Sequence, residues 1–223
     1  MTKYLLHIDT ASDTGTVAVA GDGKVIASRT SNESRNHASI INIMIADVLA
    51  EAQITFKELS AIVACGGPGS YTGLRIGMAT AKGLCYALDI PLIMDSRLAL
   101  LAYQAYLKKE AAYTQYISLL TARDKEYFIS IYDHKFQCTL PPRHIAEEEL
   151  KQIVAANDNI HLTTDAPESV INSLNVNNLK INTDINIHVN PWALYAFEEY
   201  KCNSIVNLAT AEPFYLKQVY THK

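Results

Sequence analysis

The sequence contains no C-x-x-C pair; its four cysteines, Cys65, Cys85, Cys138 and Cys202, stand far apart. That spacing excludes a disulfide framework and a cysteine-held zinc, and it fits a reducing compartment. There is no run of lysine and arginine, and the formal net charge is −4. The chain therefore lacks the basic footprint of an autonomous nucleic-acid binder. No apolar run is long enough to cross a bilayer. The opening MTKYLLHIDTAS is interrupted by His7 and Asp9 before it could act as a secretion signal. The expectation is a cytoplasmic protein with no membrane contact. The seven histidines include neither H-x-x-x-H nor H-E-x-x-H, so no helical metal pair can be assigned. No Ser/His/Asp or Cys/His set follows from spacing either.

Hydrophobic residues make up 49% of the 223 residues and charged ones 19%, the composition of a globular chain able to bury a substantial core. The first hundred residues read β-β-β-α-β-α-β. Tyr4–Asp9 is a short buried strand, and Thr16–Ala20 and Val25–Thr30 make a hairpin around Gly21-Asp22-Gly23. A helix is predicted over 36–52, a strand over 61–65, a helix over 70–88 and a strand over 91–94. From Arg97 a helix to Tyr113 leads into strands over 116–121, 127–133 and 136–140. A helix over 147–156, a strand over 159–163, a helix over 168–174, a strand over 185–189 and a helix over 192–201 complete the chain. The order implies a mixed sheet with helices packed on its faces. No short-period repeat is present, yet both halves place strands first and helices later, as two related lobes would.

Glycine is scarce, but five of the nine fall within CGGPGSYTGLRIG, residues 65–77. A Walker A loop is excluded, because no lysine follows these glycines at the required place. The G-x-G-x-x-G fingerprint fails at Thr72, and a G-x-S-x-G elbow centred on Ser70 fails at Pro68 and Thr72. What remains is a strand-to-helix turn in which Gly66, Gly67 and Gly69 can take positive φ and Ser70 or Thr72 can cap the helix. The amides of that helix could receive an anion, or the turn could simply let backbones pack closely. Asp9 and Thr10, at the end of the first strand, carry the same ambiguity. They suit a phosphate or hydrated-magnesium contact, and equally an ordinary turn. Arg123, Asp124 and Glu126 read as a solvated charged hairpin.

The two helices of the first lobe carry apolar residues over much of their circumference. On the first, Ile40, Ile41, Met44, Ile45, Val48 and Leu49 form a broad stripe. On the second, Leu74, Met78, Ala81, Cys85 and Leu88 suit the sheet, while Gly73, Ile76, Thr80, Gly83 and Ala87 form an adjacent face of mostly small residues. That second face is either covered by the rest of the chain or open to a partner.

Four stretches, LLHIDTASDTGTVAV, NHASIINIMIADVL, GGPGSYTGLRIGMATAKGL and AEPFYLK, resemble the TsaB family, also called YeaZ. TARDKEYFISIY is similar to the family's D-A-R-x-x-E-x-Y stretch, with Thr121 in place of the first Asp. The family belongs to the bacterial machinery that adds threonylcarbamoyl to adenosine beside the tRNA anticodon. The resemblance implies an α/β fold of the actin-like ATPase (ASKHA) superfamily with two ribonuclease H-like lobes, the second reduced. The first lobe is expected over 1–97, with a tail over 205–223 packing back on it, and the second over 98–204. The resemblance also implies a non-catalytic partner of the subunit TsaD, joined by the small ATPase TsaE. The partner surface is expected at Ile41, Ile45, Val48, Gly73, Ile76, Gly77, Thr80, Gly83 and Ala87. A bulky residue at Gly73, Thr80 or Gly83 should block pairing and spare the fold. No cofactor or metal of its own is implied, ATP, ADP and metal being expected on TsaD and TsaE. Contact with tRNA is indirect, and self-pairing as a homodimer is expected when TsaD is absent. Asp9 and Thr10 remain candidates for a vestigial phosphate contact. Leu162-Thr-Thr-Asp-Ala-Pro167 lacks the glycines that relatives often carry there, which counts against independent ATP chemistry. The rival readings are a glycoprotease-like hydrolase and a small-molecule kinase of the same fold.

Overall fold

A computed structural model of the chain describes residues 1–32, 37–108, 113–174, 176 and 178–215. It divides into two compact units. The first contains Met1–Arg97 together with His188–Phe214, and the second contains Leu98–Ile187 and, from the tail expected on the first lobe, Tyr215.

In the first unit, β1 (Tyr4–Asp9), β2 (Gly15–Gly21) and β3 (Lys24–Ser31) are antiparallel. Asp22 (φ 49°) and Gly23 (φ 80°) close the β2–β3 hairpin with the left-handed pair that a two-residue turn requires. Helix α1 (His37–Glu51), strand β4 (Leu59–Gly67), helix α2 (Tyr71–Leu88) and strand β5 (Leu92–Ser96) follow. The sheet order is β3-β2-β1-β4-β5, with β4 parallel to β1 and β5 parallel to β4. One face, with Leu6, Ile8, Val17, Val19 and Ile62, forms a core with the buried stripes of α1 and α2. The two helices touch each other on that face. β1 and β2 are buried on both sides, which is why their sequences run apolar instead of alternating.

The opposite face is covered by helix α6 (Val189–Lys201), which packs on β1, β3 and β5 and buries Trp192, Ala193 and Ala196. The boundary expected at residue 204 therefore lies at 187/188. The sequence around α6 reads as one more amphipathic helix, and nothing local tells which sheet it joins. Residues 205–214 remain with the first unit, and Val206 forms an antiparallel bridge to Leu92 on the β5 edge. Residues 216–223 of the expected tail lie outside the described residues.

The second unit opens with α3 (Arg97–Lys108), whose expected extension over 109–112 also lies outside them. Then come β6 (Gln115–Arg123), β7 (Glu126–Asp133), β8 (Cys138–Ala146), α4 (Glu147–Ala155), β9 (Ile160–Thr164), α5 (Glu168–Asn172) and β10 (Leu179–Asn182). Read as β8-β7-β6-β9-β10, the order matches that of the first sheet, again with two antiparallel pairs followed by two parallel ones. Its helices are short, 9 residues in α4 and 5 in α5 against 15 and 18 in α1 and α2. The two units thus repeat one arrangement, with the helices of the second reduced, as two related lobes would.

Two predicted strands differ. β8 runs well past residue 140, because Pro141 and Pro142 lie on an edge strand at a register shift between Leu140 and Arg143, where lost amides cost nothing to the ladder. The last strand is 179–182 and not 185–189. Ile185 and Ile187 instead pack against Leu98, Leu101 and Leu120 without joining the ladder.

Candidate functional site

The glycine turn is shaped by what it packs against. Only Gly67 (φ 103°) among the three expected glycines has positive φ. Gly66 and Gly69 are required for space: a Cβ on Gly66 would stand 2.6 Å from the Phe214 ring, and one on Gly69 would collide with the Ala11 carbonyl oxygen. Ser70 is the N-cap of α2, accepting the Gly73 amide at 3.3 Å, and its own amide donates to the Ala11 carbonyl at 2.7 Å. The positions from which a helix N-terminus would hold an anion are thus partly supplied from within the chain.

Gly73 and Gly77 belong to this same contact. A Cβ on Gly73 would overlap the Thr10 carbonyl oxygen, and one on Gly77 would overlap the Thr10 hydroxyl. That hydroxyl donates to the Gly73 carbonyl at 2.6 Å, and Asp9 Oδ1 accepts the Ala11 amide at 2.8 Å. Both glycines are buried. The expectation that they form a partner face is corrected: they let α2 lie against the end of β1. Asp9 and Thr10 are likewise 5% and 2% exposed, and these two bonds shape the turn.

The surface of the helix pair is also redrawn. Ile41, Ile45 and Val48 are 2%, 2% and 0% exposed and belong to the core, so they cannot serve a partner. The broad stripe on α1 is one core-facing side, and the open side carries Ile43 (60% exposed), Ala46, Asp47 and Ala50. On α2 the expected Ile76, Thr80, Gly83 and Ala87 do share an accessible face, with the first two half-buried. Ala79 and Tyr86, 84% exposed, complete it. Gly83 has no atom within 4 Å of where a Cβ would stand. Thr80 turns its hydroxyl back to the Ile76 carbonyl at 2.9 Å, so the face presents its methyl group in effect as apolar surface. Sequence reading missed Ile43 and Tyr86. An aromatic three residues beyond Gly83 on a face of small residues was the available signal for Tyr86.

Elsewhere in the first unit, Trp192 Nε1 donates to Asp95 Oδ2 at 2.7 Å inside the protein. The His7 ring meets the same indole edge-on at a centroid distance of 5.0 Å. Burial raises Asp95 to about 7 against the opposing indole bond, with the Glu199 charge adding to the rise. Burial lowers His7 to about 4, partly offset by backbone hydrogen bonds from the Ala18 and Leu5 positions. Burial first, and then the Asp9 charge, push the Cys65 thiol well up, away from the thiolate a nucleophile needs. In the second unit, Arg123 pairs with Glu126 at 2.8 Å, and Glu126 also meets His144 at 2.8 Å, in the charged hairpin expected there. In the glycine-free turn after β9, Thr164 Oγ1 accepts the Ala166 amide and Asp165 accepts the Thr121 amide at 2.7 Å. Among the described residues, no three His, Cys, Asp or Glu side chains are grouped to hold a metal ion. No described helix is long and apolar enough to cross a membrane.

The model of the family described as TsaD, tRNA N6-adenosine threonylcarbamoyltransferase, matches residues 24–158, more than half of the chain. The tRNA threonylcarbamoyladenosine biosynthesis protein TsaB of Buchnera aphidicola subsp. Schizaphis graminum is 40% identical over 108 residues, which cover 48% of this chain and 51% of that protein. The chain thus spans about half the length of that relative. The TsaB protein of Haemophilus influenzae is 28% identical over 98% of this chain and 95% of its own length. Among solved structures, YeaZ from Pseudomonas aeruginosa superposes with a TM-score of 0.80 over 96% of this chain and 100% of its own, at 24% identity.

Proposed function

The chain belongs to the TsaD family, and within it to the TsaB (YeaZ) group, and from that premise we propose that it serves threonylcarbamoyladenosine formation in tRNA as a non-catalytic partner of a TsaD subunit. The observation that carries the proposal is the open face of the α1–α2 pair. Ile43, Ala79, Gly83, Tyr86 and Ala87 form a surface of small and apolar groups that exposes a large aromatic ring to water. Such a face suits close approach by a second helix pair, with Tyr86 as an anchor at its edge. A TsaE ATPase would join the assembled pair, and a second copy of this chain would use the same face when TsaD is absent. ATP, ADP and metal would reside on TsaD and TsaE. The net charge of −4 supports the view that tRNA is held by the other subunits.

Independent chemistry is disfavoured by specific contacts. The Ala11 carbonyl and Ser70 hydroxyl take up amides at the start of α2, and the second-unit turn is closed by Thr164 and Asp165 without glycine. Cys65, the cysteine nearest the turn, is buried with a raised pKa, so a thiol hydrolase gains no support. Two measurements test the proposal together. Depleting the protein should lower threonylcarbamoyladenosine in total tRNA nucleosides, measured by mass spectrometry; an unchanged level overturns the role. The protein should co-purify with TsaD from the same cells, and Tyr86→Asp should abolish that without changing the circular dichroism. Retained co-purification by this variant would move the contact off the α2 face.

A further inference from the structure

Helix α2 presents four sides, three of which meet other parts of the chain and one of which is open. Leu74, Met78, Ala81 and Cys85 face the core. Gly73 and Gly77, on one flank, lie against Thr10. Gly83 and Ala87 lie on the open face. The remaining flank carries Lys82, and what it meets is the chain that leaves α6.

That stretch, residues 205–214, is attached at three points. Val206 donates its amide to the Leu92 carbonyl at 3.0 Å, extending the edge of β5 by one bridge. Lys82 Nζ then donates to the Ala211 carbonyl at 3.1 Å, where Ala211 is 9% exposed and joins the first-unit core. Phe214 donates its amide to the Gly66 carbonyl at 2.8 Å and places its ring where a Gly66 side chain would be. Between these points Asn207 stiffens the path. Its side chain accepts the Ala209 amide at 2.9 Å, and its carbonyl accepts the Ala211 amide at 2.8 Å. The strap therefore touches the β5 edge, the middle of α2 and the turn that launches α2.

Resting on the partner reading above, we infer that Lys82 and the 205–214 strap are positioning elements for the partner face, fixing the rotation of α2 from the flank opposite Thr10. The physical reason lies in the side chains of α2. Beyond Leu74 in its first turn, its contacts with the core come from small and flexible groups, Met78, Ala81 and Cys85, which tolerate sliding. Its open face carries one bulky group before Tyr86, the half-buried Ile76. A cationic donor tied to a backbone carbonyl supplies the directional contact such a helix otherwise lacks on this side. Rotation by a fraction of a turn would replace Gly83 with Tyr86 or Thr80 at the point of closest approach.

The test uses the full chain with four substitutions. Lys82→Met keeps length and removes the donor, whereas Lys82→Arg keeps a cationic donor. Gly66→Ala leaves α2 and its open face untouched and displaces the Phe214 ring; Gly66 has no positive φ, so alanine fits the backbone there. Tyr86→Ala alters the open face alone. Hydrogen exchange of the α2 amides and affinity for purified TsaD are read in parallel, with the thermal midpoint as control. Lys82→Met and Gly66→Ala should speed exchange in residues 76–88 and weaken TsaD binding roughly tenfold, the scale on which contacts outside a site bias it. Lys82→Arg should restore both, and Tyr86→Ala should lose binding with exchange unchanged. Unchanged exchange and affinity in both Lys82→Met and Gly66→Ala overturn the strap. If the unsubstituted chain fails to bind TsaD, the partner reading falls, while exchange in α2 still decides whether the strap holds the helix.

Discussion

His7 on β1 and Asp95 on β5 reach the same indole of Trp192, and their protonation pulls stability in opposite directions with pH. Asp95 titrates at about 7 in the fold against 3.8 in a free chain, so the native state holds the extra proton. Its stabilising contribution is fully present below about pH 4 and is lost as pH rises through 7, on the order of 4 kcal/mol in all. His7 titrates at about 4 against 6.5 unfolded, so its contribution is present above 6.5 and is lost as pH falls toward 4, on the order of 3 kcal/mol. Between pH 4 and 6.5 the two slopes nearly cancel, and above 6.5 only the Asp95 loss remains. Asp95→Asn keeps an oxygen for the indole N–H and removes the charge. It should stabilise the first unit by a few kcal/mol at pH 8, leave it unchanged near pH 3.5, and uncover a stability that rises with pH between 4 and 6.5. Urea unfolding followed by the fluorescence of Trp192, the single tryptophan, measures this directly. Parallel pH profiles for the two proteins would refute the assignment. None of this was legible in the sequence, because His7 and Asp95 become a pair only when a helix nearly a hundred residues downstream delivers the indole.

At the scale of elements, the glycines of α2 have divided roles that spacing alone assigns to one. Gly73, Gly77 and Gly83 are all small positions off the main apolar stripe, and they read as one approachable helix. The structure splits them by flank, with Gly73 and Gly77 against Thr10 and Gly83 against nothing. The expectation of one outcome for both sites therefore gives way to two. Gly73→Leu drives its side chain into a backbone carbonyl that cannot retreat, so it should cost several kcal/mol and prevent α2 from seating. Gly83→Leu should leave the melting temperature within about 2 °C, since exposed-site substitutions stay near ±0.5 kcal/mol apart from the helical gain over glycine. It should nevertheless weaken TsaD binding. Thermal melts with pull-downs on both variants decide; equal destabilisation would refute the split. What the sequence does encode here is local: the Ser70 cap, the end of α2 at Asp89 in left-handed geometry, and the Asp22-Gly23 hairpin. The errors fell where neighbours decide, as in β8, whose prolines look like a strand end until the strand is seen to be an edge.

At the scale of the whole molecule, the two units have one topology and no shared residues to advertise it. Equivalent registers put His7, Ala18 and Val63 at the centre of one sheet and Ser118, Ser130 and Thr163 at the centre of the other. The repeat survives as an order of elements, which is why strands-first, helices-later could be read while a sequence repeat could not. The helix that closes each repeat is exchanged: α3 follows β5 but belongs to the second unit, and α6 follows β10 but covers the first sheet. Cutting the chain at the apparent boundary would therefore leave the first sheet with one bare face. Leu5, His7, Ala18, Val63 and Ile93 would lose the layer that buries Trp192 to 1% exposure, and losing even one such aromatic contact costs roughly 3–5 kcal/mol. A fragment of residues 1–97 should thus fail to unfold cooperatively and should bind a hydrophobic dye such as ANS. Joining 1–97 to 188–214 through a flexible linker should restore a sharp transition and suppress dye binding, because α6 and the strap return together. A cooperative melt from 1–97 alone, equal to that of the joined fragment, would mean that the first sheet does not depend on α6 and that the exchange of closing helices carries no energetic weight.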